Sequence, residues 1–145
     1  MVDDNIAVAR RWIDELWNKA RREAIDEMLA PDALLHEGET TKKGPESLKP
    51  LYDRMRSSFS DVKVKIEDVI AQDDKVCLRT TSSMKHTGAG LGMAATGKNV
   101  TVTGVTILRI KNGKIVEGWH NWDMMTMMQQ IQGAPMAATF LAAAG

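Results

Sequence analysis

The chain has 145 residues, with 19 basic and 19 acidic side chains and a formal net charge of zero. Its length suits a single domain over residues 1–145, with a core large enough to need no disulfide or structural metal. One cysteine excludes an internal disulfide, the absence of a basic stripe excludes an ordinary nucleic-acid binder, and no apolar run reaches the roughly 20 residues that span a bilayer.

Arg10-Arg11 and Lys42-Lys43 are too short to form basic patches, and the acidic, polar start lacks the regions of a secretion signal, so a cytoplasmic location is expected. From Asn5 to Lys19, Ile6, Ala9, Trp12, Ile13, Leu16 and Trp17 recur at helical spacing, with Asp3 or Asp4 as N-cap. A second short helix covers Arg21 to Ala30 and stops at Pro31. Asp32 to Glu37 reads as a strand carrying His36. A third helix presents Leu48, Leu51, Tyr52, Met55 and Phe59 on one stripe. Ser47 as its N-cap puts Pro50 in the first turn, where a missing amide costs nothing, and leaves Pro45 in the preceding loop.

After Asp61 the apolar period becomes two. Val62, Val64 and Ile66 alternate with charged residues, and the phase breaks at Asp68-Val69-Ile70, which predicts a bulge. A turn at Gln72 to Lys75 leads into a strand from Val76 to about Thr87, where Cys77 reads as a small apolar side chain. A Gly/Ala-rich loop spans Gly88 to Gly97. Strands Val100 to Ile110 and Ile115 to Asp123 flank Asn112-Gly113, a two-residue hairpin signal. A Met-rich helix follows from Met124 to Ile131, and residues 134–145 form a small-residue tail. Helices followed by a long antiparallel sheet imply an α+β fold. Its curved sheet, with helices packed on one face, forms a cone-shaped barrel with an internal pocket.

The hairpin fixes a register in which Lys111 opposes Lys114. Uninterrupted pairing then sets Leu108, Thr106, Gly104 and Val102 on one face with Glu117, Trp119, Asn121 and Asp123. Val105, Ile107, His120 and Trp122 fall on the other face. An apolar outer face predicts cover by a second subunit, hence a homodimer. On the first face, a carboxyl at Asp123 in an apolar hollow has its pKa raised by burial and becomes a candidate general acid/base. Gly104, opposite Asn121, leaves space beside it. The competing assignment makes Asp123 only the N-cap of the following helix. The residues alone leave both open.

The order of elements resembles the SnoaL-like polyketide cyclases, in the superfamily of nuclear transport factor two. The resemblance runs from Ala9-Arg10-Arg11-Trp12 to Gln129-Gln130-Ile131. It is carried above all by Asn112-Gly113-Lys114-Ile115-Val116-Glu117-Gly118-Trp119-His120-Asn121-Trp122-Asp123, and also by Ile66 to Val76 and Thr96-Gly97-Lys98. It implies an intramolecular aldol condensation that closes a ring of a polycyclic aromatic substrate without metal or cofactor, with Asp123 as acid/base. By the same resemblance Asn121 donates to the developing oxyanion, His36 orients Asp123 or binds a carbonyl, and His86 reaches the pocket mouth. Trp119, Trp12, Trp17, Met84, Met93 and the Met124/Met125/Met128 group would wall a planar polycyclic ligand, and the Gly88–Gly97 loop would be a flexible lid. His120 is assigned to the dimer face and given no chemistry.

No Gly-x-Ser-x-Gly elbow, P-loop or dinucleotide fingerprint is present, and three scattered histidines do not form a metal-ligand pattern. The rival from another class is a non-catalytic small-molecule-binding or dimerisation module. A related enzyme acting on another apolar substrate is a further alternative.

Overall fold

A computed structural model describes residues 2–133. The elements are α1 (Val2–Ile13), a π-helical turn (Asp14–Asn18), α2 (Ala24–Met28), β1 (Leu29–Glu37), β2 (Thr40–Lys43), α3 (Pro45–Ser58), β3 (Phe59–Gln72), β4 (Lys75–His86), β5 (Asn99–Lys111), β6 (Lys114–Trp122) and α4 (Met124–Gln132). The strands form one curved, unclosed sheet in the order β2-β1-β6-β5-β4-β3. Its pairings are antiparallel except β1 with β6, which run parallel, so the expected antiparallel sheet is a mixed one. The expected tail at 134–145 lies outside the described residues. No helix among the described residues is long and apolar enough to cross a membrane.

The helices cover one face of the sheet. Leu78, Ile110 and Ile115 from the sheet and Leu16 and Ile25 from the helical layer are almost wholly buried in one core cluster. Each contributes about 1.5–3 kcal/mol by leaving water. A second cluster gathers Met55, Phe59, Met84, Val100, Val102, Met127 and Ile131 toward the other end. Tyr52 joins the layers by donating its hydroxyl to the Leu16 carbonyl, 2.9 Å away.

Several boundaries differ from the sequence reading. The first helix does not run evenly to Lys19: after Ile13 it widens into the π turn, closed by Lys19 N–H donating to Asp14 O at 2.8 Å. The second helix is shorter than expected because Leu29 is already extended, and Pro31 lies inside β1. Gly44 (φ +83°), not Ser47, caps α3, with Pro45 in its first turn and Pro50 inside the helix. The Ser47 hydroxyl instead donates to the Gly44 carbonyl at 2.7 Å. The expected bulge in β3 is present, with the register shifting between Ile66 and Asp68.

The decisive departure is in β6. Lys111 faces Lys114 across Asn112-Gly113, both at positive φ, as the hairpin signal requires. Ile110 then faces Ile115, but Arg109 faces Glu117. Val116 is therefore an extra residue, a β-bulge one step after the turn. Since side chains alternate with period two, one inserted residue exchanges the faces of everything beyond it. Gly118, His120 and Trp122 lie on the inner face with Leu108, Thr106 and Gly104. Glu117, Trp119 and Asn121 lie on the outer face with Arg109, Ile107 and Val105.

Candidate active site

Between the sheet and the helices lies a cavity of about 300 Å³. Trp12, Leu16 and Trp17 wall it from the N-terminal helical segment, Leu48, Leu51 and Met55 from α3, and Leu91 from the loop after β4. The sheet contributes Leu35, Leu108 and Thr106. Trp122 closes one side, its indole edge-on to Trp17 with ring centroids 6.0 Å apart. Gly118 packs closely beneath this wall: a Cβ there would meet Leu108 Cδ2 at 3.3 Å and Leu35 Cδ2 at 3.6 Å, so the Leu108 side chain would have to give way slightly.

His120 is the titratable side chain that the bulge turns onto this wall. Its Nδ1 lies 2.6 Å from Thr106 Oγ1, and its ring is edge-on to Trp122 at 5.0 Å. Burial holds its pKa down from 6.5 to about 4, because the cavity wall solvates an imidazolium poorly. The ring is therefore neutral at pH 7. The threonine hydroxyl can donate to Nδ1 or accept from it, so Nε2 is left either as N–H donor or as lone pair. Glu37, Thr40, Lys42 and Arg54 form the exposed, polar margin of the cavity.

Of the sequence-predicted site residues, Trp12, Trp17, Trp119 and His36 are among those lining the cavity, whereas Asp123, Asn121, His86, Met84 and Met93 are not. Asp123 is not in the hollow but exposed at the start of α4, where it is the N-cap. Its carboxylate accepts from Thr126 N–H at 3.0 Å and from Thr126 Oγ1 at 2.6 Å. The Thr126 hydroxyl and amide together lower its pKa, opposite in sign to the expected rise. Asn121 is exposed on the outer face, so it aims no donor into the cavity. The space expected opposite Gly104 is taken by Trp122: a Cβ on Gly104 would meet its Cδ1 at 3.3 Å.

His36 and Trp119 are both among the residues that line the cavity, while their rings stack on each other on the outer face, with centroids 5.2 Å apart. His36 bonds Glu117 Oε2 through Nε2 at 2.8 Å and Thr41 Oγ1 through Nδ1 at 3.0 Å, so it neither orients Asp123 nor reaches a pocket carbonyl. The His36 hydrogen bond, followed by that of Arg109, holds the Glu117 carboxyl below its ordinary pKa. Lys75 Nζ and Arg109 Cζ stand 5.5 and 5.9 Å from the Trp119 ring centroid.

His86 is fully buried under the loop rather than at the mouth. Its Nδ1 accepts from Thr96 N–H at 3.3 Å and lies 3.0 Å from Thr96 Oγ1. The loop expected to be a lid is strapped at its base. Gly97 N–H donates to His86 O and Gly88 N–H to Ser58 O, and a Cβ on Gly88 would lie 1.7 Å from Ser57 O. Trp12, Trp17 and Met124 do line the cavity. Met84 and Met93 pack instead in or against the second core cluster, and it is Leu91 that the loop sends inward.

His120 and Thr106 are thus the pair the sequence reading missed. No local sequence signal marked the bulge: it is the structure that places an extra residue at Val116 and so puts Gly118, His120 and Trp122 in phase with the core. Among the described residues there is no group of three or more His, Cys, Asp or Glu side chains able to hold a metal ion.

Comparison with known proteins places this geometry. The model of the SnoaL-like polyketide cyclase family matches residues 7–131. No curated protein matches the sequence. Among solved structures, IdmH from Streptomyces antibioticus, a candidate polyketide cyclase, is 26% identical with a TM-score of 0.75, covering 90% of this chain and 97% of that one. AclR from Streptomyces galilaeus, a candidate hydroxylase, superposes with a TM-score of 0.84 at 24% identity, covering 99% of this chain and 95% of that one. A candidate SnoaL-like polyketide cyclase from Jannaschia sp. CCS1 gives 0.84 at 22% identity, covering 93% and 96%. The last two, below 25% identity, speak for the shared fold of nuclear transport factor two. Since the family match reaches from the first tryptophan-bearing helix through α4, the chain belongs to the SnoaL-like polyketide cyclase family.

Proposed function

We propose that the protein is a cyclase that closes a ring of a polycyclic aromatic polyketide by intramolecular aldol condensation, with His120 as its acid/base group and Asp123 as a helix cap. One observation carries the reading. A neutral imidazole is part of the wall of a largely apolar cavity, with its Nδ1 held by Thr106. Membership of a polyketide cyclase family supports a cyclase, and the aldol step is part of the proposal.

In this mechanism the Nε2 lone pair takes a proton from a carbon flanked by carbonyls, while Nδ1–H donates to Thr106 Oγ1 and fixes the basic tautomer. A base with a pKa near 4 is weak, so only a carbon acid already activated by its own conjugated system falls within its reach. The developing enolate offsets the cost of the buried imidazolium by lying against it. Attack of the enolate carbon on the second carbonyl forms the carbon–carbon bond. The imidazolium, a strong acid in this setting, returns its proton to the new alkoxide, leaving no net charge. Trp12, Trp17 and Trp122 hold the planar substrate and exclude water.

The test is turnover of a polycyclic aromatic polyketide bearing an enolisable 1,3-dicarbonyl, followed by absorbance and product mass. His120→Gln is expected to lower kcat by about 10²-fold or more, the scale of one acid/base group, while Asp123→Asn keeps its cap and its activity. If Asp123→Asn abolishes turnover and His120→Gln does not, the assignment fails. The rival binding module is favoured by the largely apolar lining, and is the answer if neither variant changes the fate of any such compound while both still bind it.

The outer face supports a homodimer. Val105 and Leu34, each 39% exposed, lie on that face. Val105 and Ile107 are as expected on that face, whereas His120 and Trp122 face the cavity and drop out of the interface.

A further inference from the structure

The ionic groups of the helical layer are mostly matched. Arg22 pairs with Asp53 at 2.9 Å, Lys49 with Asp26 at 2.9 Å, and Arg56 donates to the Trp17 carbonyl at 3.3 Å. Two cations at the cavity margin, Lys42 on β2 and Arg54 on α3, are not matched. Lys42 and Arg54 both border the cavity, both are exposed, and neither side chain has an ion pair or hydrogen bond among the described residues.

Their placement is not accidental to the fold. Lys42 is the register partner of Leu35 on the antiparallel β1–β2 pair, so it shares the cavity face with that leucine. Arg54 lies one helical turn beyond Leu51 and next to Met55 on α3, both cavity residues. The remaining charged group at this margin is Glu37, the register partner of Thr40 and of His120. The margin therefore carries two cations and one carboxylate around an apolar interior. The volume, near 300 Å³, is at the lower end for ligand pockets, and the charged margin is part of the same cavity.

We propose that the cavity selects an amphipathic substrate whose planar apolar body enters toward His120 while a free carboxylate stays at the mouth between Lys42 and Arg54. This rests on the cyclase reading for the identity of the body, but not for the carboxylate. It makes the free acid, rather than its ester, the preferred form. Glu37 opposes the anion and keeps the preference moderate.

The experiment is equilibrium quenching of tryptophan fluorescence, in low salt at pH 7, by anthracene-2-carboxylate and by its methyl ester. The acid is expected to bind about five- to tenfold more tightly, the range of one or two partly exposed charge-assisted contacts, and the gap should shrink in 0.5 M NaCl. Lys42→Gln with Arg54→Gln should abolish the gap and leave ester affinity unchanged, while Glu37→Gln should widen it. Since both cations are exposed and unpaired, the double variant is expected to fold, and circular dichroism checks this. The proposal is overturned if the ester binds as well as the acid, if the double variant keeps the preference, or if neither compound binds. No turnover is involved, so loss of the cyclase reading through the His120 and Asp123 variants leaves this result standing, and the reverse also holds.

Discussion

At the scale of single residues, the contrast between His120 and Asp123 is one of solvation. Asp123 keeps water on one side and two donors from Thr126 on the other, so its charge is favoured and its pKa falls. His120 has one neutral hydroxyl partner and little water, so its charge is disfavoured. The linkage follows from that depression. Between pH 6.5 and about 4 the unfolded chain binds a proton at His120 that the folded chain refuses. This site therefore costs stability progressively as pH falls through that window, up to about 3 kcal/mol. Urea unfolding at pH 7 and pH 4.5 should show a smaller acid loss in His120→Gln than in the native chain, and equal losses would refute a buried neutral imidazole. Thr106→Val keeps the shape and removes the hydroxyl. It should lower kcat by about tenfold with a smaller change in KM, because it frees the imidazole tautomer while the isosteric valine keeps the shape of the cavity wall.

At the scale of elements, the site depends on the bulge at Val116. The strands, the hairpin and α4 were legible because each has a strong local signal: alternation at Val62 to Ile66, two positive-φ residues at Asn112-Gly113, and an aspartate before Met124. The faces of β6 were not legible, because an extra residue leaves no mark in propensity. Val116 is as good a strand residue as Ile115, and both parities of Gly118 to Trp122 contain an aromatic side chain. The edge strand β2 was missed for a related reason. Its Thr-Thr-Lys-Lys sequence is exposed throughout and has no apolar alternation. Deleting Val116 would restore uninterrupted pairing and drive His120 and Trp122 outward. The deletion is expected to abolish cooperative thermal unfolding and the near-ultraviolet tryptophan signal. A protein that kept both would show that the strand can bulge elsewhere.

At the scale of the whole molecule, the two faces of one sheet do different work. The inner face holds the cavity, and the outer face sets the Trp119 ring among His36, Lys75 and Arg109, beside exposed Val105. If that outer face joins two copies, Val105→Lys should shift the mass measured by light scattering from dimer to monomer while cavity ligands still bind. An unchanged mass would place any interface elsewhere. One further result concerns the helix that roofs the cavity. Trp12 and Trp17 are five positions apart, which on a regular α-helix would point them well over a right angle away from each other. The wide turn between Ile13 and Lys19 absorbs the surplus residue, and Asn18 then clamps the end by exchanging two hydrogen bonds with the Val64 backbone, at 2.7 and 3.1 Å. The spacing of these indoles is consequently a fixed measure of chain length. A relative that lost one residue here would keep its helix and its sheet, yet would receive ligands under a differently shaped ceiling.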